Sequence, residues 1–76
     1  MNYSYKNYEE AYYKGNWNKC KEVGFYLLSK KNDKRSSKLL KEIKTIDYHW
    51  DLNPKELERI SKILLAVKVW LMVWKD

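Results

Sequence analysis

Two sets of side chains in this 76-residue sequence have the types that catalysis uses, but their spacing argues against both. Asp47, His49 and Asp51 form an Asp-Tyr-His-Trp-Asp run, which has the composition of a metal or acid–base cluster. Residues two apart point to different sides of a helix, and zinc takes three or four ligands, so we expect no metal site here. The neighbouring carboxylates of Glu9 and Glu10 diverge on a helix, and helix capping explains them better.

The serines and glycines do not complete a catalytic motif either. A serine nucleophile needs a base within hydrogen-bond reach, and Ser36 and Ser37 fall instead near the start of a predicted helix. Gly15 and Gly24 are the only glycines, so neither a P-loop nor a dinucleotide-binding fingerprint can be written. We therefore expect a non-enzymatic protein without metal, cofactor or small-molecule substrate.

Cysteine usage and hydropathy indicate the compartment. Cys20 is the only cysteine, which excludes an intramolecular disulfide and fits a buried thiol in a reducing environment. Residues 1–13 lack the apolar segment of a signal peptide. The apolar run at 63–74 contains Lys68 and is shorter than the roughly 20 residues that a bilayer requires. These observations predict a cytoplasmic protein without a transmembrane segment.

A basic run occupies the middle of the chain, whose formal net charge is +6. Seven cations are offset there only by Asp33 and Glu42: Lys30, Lys31, Lys34, Arg35, Lys38, Lys41 and Lys44. On a helix, positions 34, 38, 41 and 44 form one stripe, which fits phosphates or an acidic protein face. The scarcity of arginine favours phosphate contact over base reading. A solvated face, stabilised by a Lys38–Glu42 pair, is the alternative interpretation.

The last third of the chain carries the strongest apolar signal. Asn53-Pro54 predicts a helix start, because Asn caps free N–H groups and Pro fits the first turn. Apolar residues then form a seam at three-four spacing: Leu57, Ile60, Leu64, Val67, Leu71 and Trp74. In the second half the other sides are apolar as well, and so short a chain has little material to cover them. We therefore predict a protein interface at Trp70, Met72, Val73 and Trp74.

Turn signals divide the rest of the chain into three further helices. The predicted ranges are 4–14, 17–31, 34–48 and 54–74, with breaks at Gly15-Asn16 and Asn32-Asp33. Either Ser4 or Asn7 could cap the first helix, and residues 1–3 are expected to fray. Leu39, Ile43, Ile46 and Trp50 mark the apolar stripe of the third helix. The sequence thus predicts one all-α domain, 1–76, with an N-terminal antiparallel helical hairpin and a long apolar C-terminal helix.

Residues 7–28 resemble the helical hairpin of a tetratricopeptide repeat. The matching pattern is Ala11, then Gly15-Asn16-Trp17, then Cys20 where that family has a small residue, then Leu27-Leu28. Gly24 stands where the family usually has an aromatic residue, and its usual proline is absent after the second helix. The resemblance implies a scaffold that binds peptides or proteins.

Two functional hypotheses follow from these patterns. The first is a small non-catalytic protein-binding module of adaptor or inhibitor type, which acts on a protein partner or a second copy through the apolar C-terminal helix and the basic third helix. A phage-type inhibitor could have the same size and composition. The second is a nucleic-acid-binding protein whose third helix contacts phosphates.

Overall fold

Four helices follow one another in the computed structural model, which describes residues 2–74. They are α1 (Tyr5–Tyr13), α2 (Trp17–Ser29), α3 (Lys34–Lys44) and α4 (Pro54–Trp74). No strand forms among the described residues, and the prediction of a small all-α fold is confirmed. The predicted domain also includes Met1, Lys75 and Asp76, which lie outside the described residues.

The helices pack as two central elements with one element on either side. α2 and α4 each contact all three other helices, whereas α1 and α3 do not contact each other. The short connection at 14–16 makes α1 and α2 an antiparallel hairpin, as predicted. The long α4 packs across this hairpin and against α3.

Polar side chains cap the helix starts. Of the two residues that could cap α1, Ser4 is the capping residue, and its N–H donates to Asn7 Oδ1 at 2.8 Å. Before α2, α3 and α4 the capping side chain itself accepts, from the backbone N–H three residues later: Asn16, Asp33 and Asn53. Gly15 has φ +72°, the left-handed conformation that ends α1 at small cost only for glycine.

The centre of the core lies at Gly24, where three helices approach α2 closely. A Cβ at this position would lie 2.7 Å from Ile43 Cδ1, 3.1 Å from Tyr8 Cε2 and 3.4 Å from Val67 Cγ1. These atoms belong to α3, α1 and α4, so no larger residue fits without displacement. Tyr8 also donates its hydroxyl to the Leu64 carbonyl at 2.5 Å, which joins α1 to α4 in the interior.

α3 ends at Lys44, so the predicted continuation to Tyr48 is wrong. Thr45 Oγ1 donates to the carbonyl three residues earlier at 2.6 Å, and the Thr45 N–H bonds to the same carbonyl. The Ile46 carbonyl, released from the helix, accepts a hydrogen bond from Lys21 of α2, while the Ile46 side chain is buried. The apolar periodicity continues beyond Lys44, but contacts of the following residues with α2 stabilise the end of α3 there.

Two other sequence expectations are also wrong. Trp50, placed on the apolar stripe of α3, lies in the connection between α3 and α4, and 89% of its surface is exposed. Tyr3, expected to fray, donates its hydroxyl to Glu22 and accepts from Lys19 Nζ at 3.0 Å. Its ring also meets Tyr26 edge-on at 5.4 Å between centroids. Tyr3 is thus held against α2 by polar and aromatic contacts that sequence periodicity does not encode.

Candidate interaction surfaces

The side of α4 that points away from the core is apolar in its second half. α4 buries four residues on its inner side: Ile60, Leu64, Val67 and Leu71. Four apolar residues lie on the opposite side, with exposed fractions of 47% for Leu65, 49% for Val69, 43% for Met72 and 67% for Val73. We call these four residues the outer α4 face. Their offsets of four, seven and eight are the spacing of one side of a helix.

The first half of the same helical side has the polar character that is usual for an exposed surface. Glu58 and Lys62 lie there, four residues apart, and their side chains form an exposed ion pair at 3.1 Å. The apolar surface is thus confined to the last turns of α4. Within residues 2–74, no helix combines the length and the apolar character that crossing a bilayer requires.

Trp70 connects α4 to the start of α3 inside the molecule. Its indole Nε1–H donates to the buried Ser36 Oγ at 2.7 Å, and the Ser36 hydroxyl donates to Asp33 Oδ2 at 3.1 Å. Of the predicted interface residues, Met72 and Val73 belong to the outer α4 face. Trp74 is exposed at the helix end, and Trp70 is half-buried.

Leu65 and Val69 belong to this surface but were not among the predicted interface residues. Their signal was present in the sequence as a second apolar series on the helical side opposite the seam. The prediction instead concentrated on the aromatic residues at the end of the chain. These aromatic residues, Trp70 and Trp74, contact each other edge to face, with ring centroids 5.8 Å apart.

Three lysines form a separate charged surface on α3. Lys34, Lys38 and Lys41 point away from the side of α3 that buries Leu39 and Ile43, and all three are exposed. We call them the α3 lysine row. None of the three forms an ion pair within residues 2–74, and the predicted Lys38–Glu42 pair is absent there.

The other predicted contact cations are turned toward aromatic rings of the same chain. They lie 4.5 to 5.7 Å from the ring centroids: Lys30 over Tyr26, Lys31 over Trp74, Arg35 over Trp70 and Lys44 over Phe25. Cation–π contacts of this kind are worth about 0.5–1 kcal/mol at exposed sites. Lys44, expected in the stripe, therefore faces α2, whereas Arg35 joins the basic surface to the end of α4.

The Asp-Tyr-His-Trp-Asp run contains one exposed contact. His49 Nε2 lies 3.3 Å from Asp47 Oδ1, and both side chains are largely exposed to solvent. α3 ends at Lys44, so Asp47 lies in the connection and not in the helix that the sequence predicted to extend to residue 48. Across residues 2–74, no three His, Cys, Asp or Glu side chains are grouped so that they could hold a metal ion.

Cys20 is enclosed in the core. Its side chain is inaccessible, and Sγ lies 4.0 Å from the Tyr8 carbonyl oxygen. Burial raises the pKa of the Cys20 thiol to about 12, because desolvation disfavours the thiolate. A neutral, inaccessible thiol is unsuited to act as a nucleophile.

Comparison with known proteins returns no relative. No protein-family model, no curated protein and no solved structure matches the chain. The tetratricopeptide resemblance of residues 7–28 therefore stays a prediction.

Proposed function

We propose that this chain is a small non-catalytic protein-binding module, of adaptor or inhibitor type, that contacts its partner through the outer α4 face and the basic side of α3. The observation that carries the proposal is the exposure of four apolar side chains on one side of a single helix. Large contiguous apolar patches are unusual on soluble monomers and often mark interaction sites. The hairpin resemblance of residues 7–28 supports the same class of function.

The outer α4 face has apolar surface that a partner could bury. Full burial of a valine, leucine or methionine side chain is worth about 1.5–3 kcal/mol, and these four are only about half covered. A partner could therefore recover roughly 1 kcal/mol at each position. Met72 adds an adaptable side chain that fits irregular partner surfaces. The free, buried thiol of Cys20 supports action in a reducing compartment such as the cytoplasm.

The test is to place a charge in the middle of the outer α4 face. Val69→Glu should abolish capture of the native partner from an extract of the source cells, or dissociate a self-complex seen by light scattering. We expect affinity to fall at least about tenfold, equivalent to about 1.4 kcal/mol, because the carboxylate would be buried without a partner. Val69 is chosen over Trp70 because Trp70 also supports the fold through Ser36.

Trp50→Glu is the matched control. It removes a larger and more exposed apolar side chain, but from the connection between α3 and α4. Capture should survive this change, and both variants should keep the helical circular dichroism of the parent. A parent chain that stays monomeric and captures nothing, or a Val69→Glu variant that captures as the parent does, would contradict the proposal.

Nucleic-acid binding through α3 is the second candidate function. It is favoured by one observation, the three exposed lysines that have no acidic partner within residues 2–74. Phosphate contacts release counterions, so affinity would fall steeply as salt rises. A shift assay at low salt tests this candidate, and the absence of any shift by the parent protein would exclude it.

A further inference from the structure

The α3 lysine row is a concentration of charge that its own monomer does not neutralise. The three Lys or Arg ion pairs among residues 2–74 and the Asp47–His49 contact all lie elsewhere: Lys19–Glu22, Glu56–Arg59 and Glu58–Lys62 are the ion pairs. The neighbouring cations Arg35 and Lys44 are turned sideways onto Trp70 and Phe25. Lys34, Lys38 and Lys41 are left as ammonium groups that point outward into solvent.

The start of α3 is also basic, although a helix N-terminus favours acidic residues. Lys34 and Arg35 are its first two residues, and its first turn contains no acidic residue. The partial positive charge of a helix N-terminus disfavours cations there. Arg35 has a contact within the chain, because it lies over the Trp70 ring. The helix dipole gives no reason for Lys34, whereas an anionic partner would.

The row borders a shallow, open space at the protein surface, whose lining residues all belong to α3. Lys34, Arg35, Ser37, Lys38 and Lys41 line a volume of about 570 Å³. Along α3 the three lysines are separated by four and three residues, which places them about 6 Å and 4.5 Å apart along the axis. Carboxylates at positions i, i+3 and i+7 of a second helix have the same spacing when that helix lies antiparallel to α3.

We propose that the α3 lysine row receives an acidic helical segment of the protein partner, with three carboxylates along one side. This inference rests on the proposed protein-binding function and names the chemistry of the partner. The contact is charge-complementary, and it leaves the outer α4 face free for the apolar part of the same partner.

The aromatic surroundings favour an acidic helix over a single-stranded nucleic acid. Single-strand binders stack bases on open aromatic faces beside the basic groove. Here Trp70, Trp74 and Phe25 each carry a cation of the chain over one ring face. The most exposed aromatics are elsewhere: Trp50 follows α3 in the connection to α4, and Tyr13 ends α1, which does not contact α3.

The experiment measures binding of two synthetic peptides to the full chain by fluorescence anisotropy at about 150 mM salt. Both peptides are helical, about 15 residues long and identical in composition. The first carries three glutamates at i, i+3 and i+7, whereas the second distributes them around the helix. We expect the first peptide to bind about tenfold more tightly, because only it can meet all three lysines together.

Two triple variants separate the row from the overall charge of the protein. Lys34→Glu/Lys38→Glu/Lys41→Glu should weaken binding of the first peptide by about tenfold or more. The control, Lys6→Glu/Lys14→Glu/Lys55→Glu, changes the net charge by the same amount at exposed sites on α1, its C-cap and α4. It should weaken binding by less than about threefold. Circular dichroism confirms that both variants remain helical.

Three results would overturn the inference. Equal affinity of the two peptides, or equal loss in the two triple variants, would mean that only net charge attracts the peptide. A DNA strand or duplex of about 20 nucleotides that binds more tightly than the first peptide, and depends on the row, would identify phosphates as the ligand. Val69→Glu leaves the row intact, so a chain that captures its partner but fails the peptide test loses only this inference.

Discussion

Gly24 illustrates how one absent methyl group controls the approach of three helices to α2. Glycine in a helix interior is about 1 kcal/mol less favourable than alanine, yet an alanine Cβ would lie 2.7 Å from Ile43 Cδ1. Ile43 is fully buried, so its terminal methyl group has no free space to enter. We expect Gly24→Ala to lower the free energy of unfolding by about 1 kcal/mol, because overpacking exceeds the gain in helix propensity.

A double-mutant cycle tests this reason for the loss. Ile43→Val removes the Cδ1 atom, so in that background Gly24→Ala should become neutral or stabilising, with a coupling of about 1–2 kcal/mol in urea unfolding. Gly15→Ala is the control, since a Cβ there meets nothing within 4 Å and only the backbone at φ +72° is strained. Its loss of about 1 kcal/mol should be the same in both backgrounds. An equal loss of stability from Gly24→Ala with Ile43 and with Val at position 43 would refute the packing explanation.

α3 begins with a positive charge, although the helix dipole favours negative charge at an N-terminus. Lys34 opens the helix, and the last turn contains Lys41 and Lys44, where cations are favourable. We expect Lys34→Glu to raise the free energy of unfolding by about 0.5–1 kcal/mol at low salt, through the dipole and a new pair with Lys38. The gain should shrink at high salt because exposed charges are screened.

Lys44→Glu provides the comparison at the other end of the same helix. It should lower stability, because it places an anion at the negative end and removes the cation over Phe25. If Lys34→Glu were destabilising, the α3 lysine row would have a structural role in the monomer. A stabilising Lys34→Glu that also weakens the acidic peptide would be the pattern expected of a residue retained for binding.

The whole molecule should lose stability at alkaline pH. Burial raises the pKa of Cys20 to about 12 from an ordinary value of 9.0, and burial also raises the pKa of Tyr8 above its ordinary 10.0. As the pH rises, both groups ionise in the unfolded chain at a lower pH than in the folded chain. Their contribution is therefore complete below pH about 9 and is lost as the pH rises through the folded-state pKa values.

Urea unfolding at pH about 7.5, 9 and 10.5 measures this loss, which can reach about 1.4 kcal/mol per pH unit for each group. Cys20→Ala should remove the decrease that begins near pH 9 and keep the tyrosine decrease above about pH 10. Stability that is unchanged between pH about 7.5 and 10.5 would show that neither group is desolvated in the native state.

Much of the fold could be predicted because its signals are local. Asn16, Asp33 and Asn53 are capping residues whose side chains reach an N–H within the first turn, so a few adjacent residues determine each helix start. The inner seam of α4 is likewise a periodic pattern within one helix. The shortage of covering material also followed from the sequence, since chain length limits how much apolar surface can be buried.

Packing between helices settled the remaining features. The end of α3 depends on Lys21 of α2, and the position of Trp70 depends on Ser36, 34 residues away in the sequence. Periodicity cannot distinguish an apolar residue that meets another helix from one that meets water. The apolar series with Leu65 and Val69 was therefore visible in the sequence, but the packing of α4 decided that this series is exposed. For the same reason, which lysines lie over aromatic rings and which remain unpaired is a property of the assembled molecule: each contact joins residues that the sequence alone does not bring together.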